Sequence, residues 1–396
     1  MATNLARRAM RLPGPIHPEG GNAISFDSGY AFPGIFPDLS AAALAALTVY
    51  RGESLQYGSP FGMHAMREWI AGYMRNDGVQ ADANNVLVVN GAKQGLDLIC
   101  RVLTDEGDAV VVTGPTYFTA IPIFRSFGLE FIEVPQDSEG LDVAILRERL
   151  AQRNAAGKKP PKLIYDVPDF HNPSGITMSL QRRHALLELA ADAGIAVVED
   201  SPYRKLRFEG ATLPSLKSLD RNGIVLALGT FSKLMAPGLR IGWVCGDPDL
   251  LTRMARLKSD GGTSPMTQRI ILEFFLGGGL EPHLERARAA YKLHRDDMVA
   301  ALHRELPEAT FAVPHGGYYL WLTFPPGIDT GSLAERAYDA GVSVIGGNAF
   351  FAADDPSSAK AHDVPKRHMR LAYSHATPEV IAQGVQLLAG AFRSMN

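Results

Sequence analysis

The sequence predicts an α/β protein: a large domain on a mostly parallel sheet flanked by helices, a smaller α+β domain, and an N-terminal arm. Three observations carry that expectation. The chain has 396 residues, more than one small core fills, which favours two domains or one domain with an appended lobe. Before about residue 280, short continuous apolar runs alternate with segments of helical periodicity. Strands buried on both faces and joined by helices make a mostly parallel sheet with right-handed crossovers. Beyond about residue 280, one long charged helix and widely spaced strands replace that rhythm.

The elements follow in chain order. Five prolines (Pro13, Pro15, Pro18, Pro33 and Pro37) mark residues 1–45 as an irregular arm rather than a core element, expected to pack with the small domain. "NVLVVNGAKQGLDLICRVL" reads as strand, glycine turn and helix, and "DAVVVTGPTY" as a strand ending in a Gly-Pro turn. "PKLIYDVPDFHNPSG" is a strand running into a proline-rich loop. "QRRHALLELAADAG" has helical spacing and a terminal glycine. "IAVVEDSPY", "IVLALGTFSK" and "RIGWVCG" are further strands, and together these segments define a large domain over 46–290. A small domain over 291–396 takes most of the amphipathic helix "LERARAAYKLHRDDMVAALHREL" and the strands "GGYYLWLTF", "VSVIGG" and "HMRLAYS".

Composition excludes several classes of partner. Apolar residues make up 46% and charged residues 20%, with a net charge of −3 and both signs interspersed. No long basic run exists, so neither nucleic acid nor an anionic membrane is an expected partner. No apolar run approaches the ~20 residues a membrane helix needs. The opening "MATNLARRAM" lacks the apolar core of a secretion signal, and a cytoplasmic protein is expected. The two cysteines, Cys100 and Cys245, sit in apolar runs and read as buried thiols outside any metal-ligand spacing.

In open α/β sheets, ligands bind beyond the carboxyl ends of the strands, so the polar residues there define the candidate site. Lys233 follows a hydrophobic strand. A lysine in an apolar pocket loses its proton more readily and becomes a nucleophile suited to a Schiff base with an aldehyde. The alternative is a lysine with a solvated head. Glu199 and Asp200 end a buried strand, and alternation lets only one of them face the cleft. A carboxylate there needs a cationic partner, such as a protonated pyridine nitrogen, or it caps a helix. The turn Gly91-Ala92-Lys93 opens a helix whose amides suit a phosphate, and Thr230, Ser232 and Arg240 can add to the same anion. Tyr117 offers a ring to stack on a planar ligand or a core aromatic. Asn172 offers an amide or simply forms an Asn-Pro turn. As a set, these groups describe a pocket for pyridoxal phosphate, whose ring is an electron sink.

The stretches "SKLMAPGLRIGW", "DFHNPSG", "VVEDSPY" and "LQYGSPFGMHAMREWI" resemble the fold-type-I pyridoxal-phosphate aminotransferases of class I/II. They are most similar to the branch holding 2-aminoadipate and kynurenine aminotransferases and the aminotransferase-like half of MocR regulators. The resemblance runs from Ile24 to Ser374, with the motifs in family order. It implies a seven-stranded sheet in the large domain. It also implies that Lys233 carries the cofactor as an internal aldimine and shuttles the proton between Cα and C4′. Asp200 then pairs with the pyridinium nitrogen, and Tyr203 and Asn172 reach the 3′-oxygen. Tyr117 stacks on the ring, while Gly91, Ala92, Lys93, Thr230, Ser232 and Arg240 hold the phosphate. Arg370 takes the substrate α-carboxylate, and Gly29 and Tyr30 border the substrate. Tyr57 reaches the phosphate of a second subunit, which implies a homodimer with shared sites. Two departures stand out. The phosphate turn reads "GAKQ" where the family usually has Gly-Ser-Gln-Gln, and the arm reads "SGYAFPG" where relatives often have Gly-Leu-Pro.

The expected reaction is ping-pong transfer of an amino group between an L-amino acid and a 2-oxo acid. Two other readings use the same cofactor. One is a different biosynthetic outcome: elimination, replacement, C–C bond formation or oxidation. The other is a non-catalytic regulator, against which stands the lack of a helix-turn-helix segment ahead of the core.

Overall fold

The computed structural model describes residues 23–352 and 364–395. Residues 1–22 of the expected arm, including its first three prolines, lie outside the described residues. In chain order the described strands are β1 (Ile24–Ser25), β2 (Val86–Val89), β3 (Ala109–Gly114), β4 (Glu130–Asp137), β5 (Gly140–Leu141), β6 (Leu163–Asp166), β7 (Ala196–Asp200), β8 (Val225–Thr230), β9 (Gly242–Cys245), β10 (Tyr319–Thr323), β11 (Val342–Ser343), β12 (Ile345–Gly346) and β13 (His368–Ala372).

The large sheet runs β2-β9-β8-β7-β6-β3-β4-β5. Strands β4, β3, β6, β7 and β8 are mutually parallel, and β9 runs against both β8 and β2. The sheet is therefore mixed but mostly parallel. The resemblance implies seven strands. An eighth, the two-residue β5, folds back antiparallel on β4 at the sheet edge. Strand β4 itself carries no clear sequence signal, because Glu130, Glu133, Gln136 and Asp137 interrupt its apolar residues and Pro135 lies inside it. Its place beside the edge is where a proline that cannot donate is tolerated.

Strand valines split between the two faces with period two. Val110 and Val112 join one core; Val111 joins the core on the opposite face with Ile164, Val197 and Val225. Each such buried side chain contributes about 1.5–3 kcal/mol. Helices Val143–Ala155 and Leu180–Ala193 cover that second face. The latter starts where Ser179 accepts from the Arg182 N–H and stops at Gly194, which takes the left-handed conformation at φ 65°.

The C-terminal residues build a three-stranded sheet, β10-β13-β12, over a separate core. Helix Leu280–Glu305 serves both cores: Leu284, Ala287 and Tyr291 pack in the first, Met298, Ala301 and Leu302 in the second. The described part of the arm is more structural than its prolines suggest. Strand β1 pairs with β11, and Phe26 is fully buried in the C-terminal core. Both cysteines are free and buried. No helix among the described residues is long and apolar enough to cross a membrane.

Candidate active site

A cavity of about 200 Å³ opens at the carboxyl ends of β2, β3, β6, β7 and β8. Tyr30, Gly91, Ala92, Lys93, Tyr117, Asn172, Asp200, Tyr203, Thr230, Ser232, Lys233 and Arg240 all line it. Gly29 and Arg370 lie directly behind that wall through their hydrogen bonds to Lys233 and Asn172. Tyr57 does not join them. It is 88% exposed and lies along a separate groove with Gly58 and the Asp260–Gly262 turn.

One end of the cavity is a cradle of local turns. Gly91 takes φ 83° ahead of helix Ala92–Leu103. That positive φ suits glycine, and a Cβ there would also push the Arg240 guanidinium aside, since it would lie 2.6 Å from Nη2. Arg240 is itself left-handed at φ 52°, a conformation costing roughly 1–2 kcal/mol for a residue with a Cβ. It follows the short 3-10 turn Pro237–Leu239 and turns the chain into β9. The base of this loop is closed by Phe231 N–H donating to the Ile241 carbonyl at 3.0 Å. Thr230 Oγ1 donates toward Ser232 Oγ at 3.0 Å, and Arg240 Nη2 donates to the Asn90 carbonyl at 2.9 Å. The first N–H groups of a helix have no intrahelical partner, so helix Ala92–Leu103 points free amides at this end.

The other end is assembled from distant segments and is buried. Strand alternation sends Asp200 into the cavity and Glu199 to the opposite face, where it accepts the Leu216 and Lys217 N–H groups at 2.9 and 2.8 Å. The helix-capping carboxylate of the pair is thus Glu199, not Asp200. Asp200 Oδ2 accepts from the Tyr165 hydroxyl at 2.8 Å, while Oδ1 is buried with no partner among the described residues. Burial raises Asp200 to about 6, against the Tyr165 hydrogen bond and the Lys233 charge. Asn172 Oδ1 accepts from Arg370 Nη1 at 3.0 Å, and its Nδ2 is likewise buried and unpaired. Lys233 Nζ donates to the Gly29 carbonyl at 2.6 Å. Burial, above all, lowers its pKa, helped by Arg370 and Arg240 and opposed by Tyr319 and Asp200. That favours the neutral, nucleophilic amine.

Arg370 is buried on β13 among the rings of Phe118, Phe350 and Tyr319, its guanidinium carbon 4.3 Å from the Tyr319 centroid. Its Nη2 donates to the Asp27 carbonyl, and its Nε has no partner among the described residues.

Nothing in the sequence marks Tyr165 and Tyr319 as site residues. Tyr165 reads as one more apolar residue of a buried strand. Its role follows only from register: Tyr165 stands opposite Val198, so its ring shares a face with Asp200 two residues on. Tyr319 comes from the other sheet entirely, and nothing in "GGYYLWL" marks the second tyrosine from the first.

An acceptor (Asp200 Oδ1) and a donor (Asn172 Nδ2), both buried and unpaired, flank a lysine with a depressed pKa. A free-amide helix start closes the far end. That donor set fits a flat heterocycle with a cationic ring N–H, a phenolic oxygen, an aldehyde and a phosphate. Fold and site together define a pyridoxal-phosphate enzyme of fold type I. The family model of aminotransferase class I and II matches residues 28–388, and the chain belongs to that family. It is 36% identical to aromatic-amino-acid aminotransferase 1 of Thermococcus litoralis, over 94% of this chain and 88% of that one. It is 34% identical to a 2-aminoadipate transaminase of Thermus thermophilus, over 94% and 90%. A kynurenine aminotransferase structure from Pyrococcus horikoshii superposes with a TM-score of 0.91 at 35% identity, covering 99% of this chain and 97% of that one. The protein is a pyridoxal-phosphate-dependent aminotransferase that transfers amino groups.

Proposed function

We propose that the amino group passes between an L-amino acid and a 2-oxo acid at Lys233, with the surrounding residues in the following roles. Pyridoxal phosphate supplies the electron sink that stabilises negative charge at the substrate Cα. Lys233 Nζ would hold the cofactor aldehyde, and its neutral amine is placed to carry the proton to and from the substrate Cα. Asp200 Oδ1 would meet the ring nitrogen, while Tyr165 fixes the carboxylate through Oδ2. Asn172 Nδ2 and the Tyr203 hydroxyl reach the phenolic oxygen. Tyr117 covers one ring face. The turn Gly91–Lys93, through the Ala92 and Lys93 amides, the hydroxyls of Thr230 and Ser232, and Arg240 take the phosphate. Arg370 takes the substrate α-carboxylate, and Gly29 and Tyr30 bound the substrate space.

The observation that carries this reading is the pair of unpaired buried atoms on the Lys233 wall, Asp200 Oδ1 and Asn172 Nδ2. Leaving each unmet costs about 1–3 kcal/mol, and one ligand meets both. The named relatives act on aromatic amino acids, 2-aminoadipate and kynurenine, so these are the first donors to test.

Three further assignments belong to the same reading. Tyr57 serves a second copy of the chain in a homodimer, which its exposure in the groove beside the Asp260–Gly262 turn supports. Residues 46–290 form the cofactor domain and 291–396 the small domain, a division supported by the two cores that helix Leu280–Glu305 links. The chain works in the cytoplasm, in keeping with two free thiols.

The test is a panel of amino donors added to the reconstituted enzyme while the visible spectrum is followed. A donor should convert the aldehyde form to the pyridoxamine form, and a 2-oxo acid should restore it stoichiometrically. Borohydride reduction and peptide mapping should leave the cofactor on the Lys233 peptide. Ammonia release without an acceptor, or label on another lysine, overturns the reading.

A further inference from the structure

Tyr319 begins β10 and is buried against the cavity wall. Its hydroxyl is confined on three sides. Tyr203 donates to it at 3.3 Å. Arg370 lies over its ring. On the third side a Cβ at Gly29 would overlap the Tyr319 hydroxyl oxygen, so the close approach requires glycine there. The same Gly29 holds Lys233 Nζ through its carbonyl. Gly29, Lys233, Tyr203 and Tyr319 therefore form one packed unit drawn from the arm, the loop after β8, the loop after β7 and the C-terminal sheet.

A phenol has one proton to donate and lone pairs to accept with. Here Tyr203 directs its proton at Tyr319. Once Tyr203 donates into the cavity instead, its oxygen can accept, and the Tyr319 hydroxyl is the neighbour at hydrogen-bond distance. A donor that itself accepts a hydrogen bond is polarised and donates more strongly. No proton leaves either oxygen; both O–H bonds rotate.

We propose that Tyr319 is a positioning residue that acts through Tyr203: it donates to the Tyr203 oxygen and so strengthens the hydrogen bond Tyr203 gives to the cofactor's phenolic oxygen. This rests on the reading of Tyr203 given above. The groups facing the two phenols are Arg370 on β13, Lys233 after β8, Tyr117 after β3 and Tyr318 beside them. Burial raises the Tyr319 phenol, but Arg370, Lys233 and the hydrogen bond from Tyr203 outweigh it and leave it below its ordinary value. Tyr203, mainly through burial, lies well above its own.

The test is a pH titration of the visible band of bound pyridoxal phosphate in Tyr203→Phe, Tyr319→Phe and the double variant. A hydrogen bond to the phenolic oxygen stabilises its deprotonated form, so loss of the bond moves the midpoint upward. Tyr203→Phe should raise it by about 1–2 units. Tyr319→Phe should raise it by about 0.3 units, and should add nothing once the Tyr203 hydroxyl is gone. An unmoved midpoint in Tyr319→Phe, or the same shift in both backgrounds, overturns the inference alone. An unmoved midpoint in Tyr203→Phe overturns the Tyr203 reading and this inference together. Fluorescence titration of each apoprotein with pyridoxal phosphate completes the set. A loss of affinity beyond about tenfold in Tyr319→Phe makes the residue a structural support and also overturns the inference.

Discussion

At the end of the cavity bounded by Gly91, Ser232 and Arg240, the polar groups already hold one another, and Lys93 and Arg240 reach solvent. At the end bounded by Asp200, Asn172 and Arg370, the side chains are buried and three polar atoms have no partner among the described residues. The first end is made by two short stretches of chain. The second draws on the loop after β6, the tip of β7, the loop after β8 and β13 of the other sheet. An exposed, prearranged cradle gains a modest, salt-screened amount from each charge. A buried end with unmet groups depends on its ligand for completion, because each unmet group is costly. Substitutions in the cradle should therefore affect cofactor retention, and substitutions at the buried end should affect chemistry and pH response.

The largest effect belongs to Lys233. On the proposed roles, Lys233→Ala removes both the anchor and the proton carrier, and kcat should fall by at least about 10⁴-fold. Stopped-flow measurement of a single half-reaction checks this. A variant that converts donor at a hundredth of the normal rate or better means that another base at this end does the work, and the contrast between the two ends loses its catalytic half.

Asp200→Asn tests whether the buried end waits for a cation. Turnover should drop by about 10²–10³-fold. The apoprotein gives the sharper reading. Burial lifts Asp200 from 3.8 to about 6 in the folded chain, so between those values the folded apoprotein binds a proton that the unfolded chain releases. Its contribution to stability is present below 3.8 and lost as pH rises through about 6. Relative to Asp200→Asn, the parent apoprotein should thus lose roughly 1 kcal/mol between pH 5 and 7.5. Bound cofactor presents a cation to Oδ1 and should abolish the loss. Denaturant unfolding of both apoproteins at pH 5 and 7.5, with and without pyridoxal phosphate, measures it. A parallel pH response in the two proteins means that Oδ1 is satisfied in solution.

The same division decides what the sequence could disclose. The cradle was legible because its geometry is local. Strand, glycine turn and helix occur in consecutive residues, and Thr230, Ser232 and Arg240 lie on one short stretch of chain. The strand ends were legible for a related reason: alternation along β7 separates Asp200 from Glu199 without knowledge of any neighbour. Tyr165 and Tyr319 were not legible, because their meaning lies in register across strands and in the approach of a second sheet. The prolines mark the arm as irregular, yet Phe26 is a core residue and the Gly29 carbonyl holds Lys233. A two-residue strand and one carbonyl leave no pattern in composition. Strand β4 was passed over because charge and a proline break its alternation at the place where the sheet tolerates both.

Arg240→Gln probes the cradle. Arg240 is exposed and is one of several groups at this end. Affinity for pyridoxal phosphate should weaken by about tenfold at low salt, and by less as salt rises. The kcat of the saturated enzyme should hardly change. Equilibrium titration of the apoprotein at two ionic strengths separates the terms. A fall in kcat at saturation would mean that the cradle also steers the ring.

The smallest effect is the most discriminating, because its sign depends on what is bound. Lys93 is the second residue of helix Ala92–Leu103 and is exposed. A cation in the first turn opposes the helix dipole, so in the apoprotein the charge is slightly unfavourable. A phosphate dianion at the same turn reverses the balance, since the ammonium then faces an anion rather than bare amides. Lys93→Gln should accordingly raise the apoprotein Tm by on the order of 1 °C, while weakening pyridoxal phosphate binding by about two- to threefold at low salt. Ala92→Ser in the same background restores a hydroxyl to the turn and should recover part of the lost affinity without moving the apoprotein Tm. Calorimetry of the apoproteins and titration with the cofactor give the two signs independently. If both quantities fall together, Lys93 supports the turn itself. If neither moves, it is a solvated charge, and the cradle holds its anion without it.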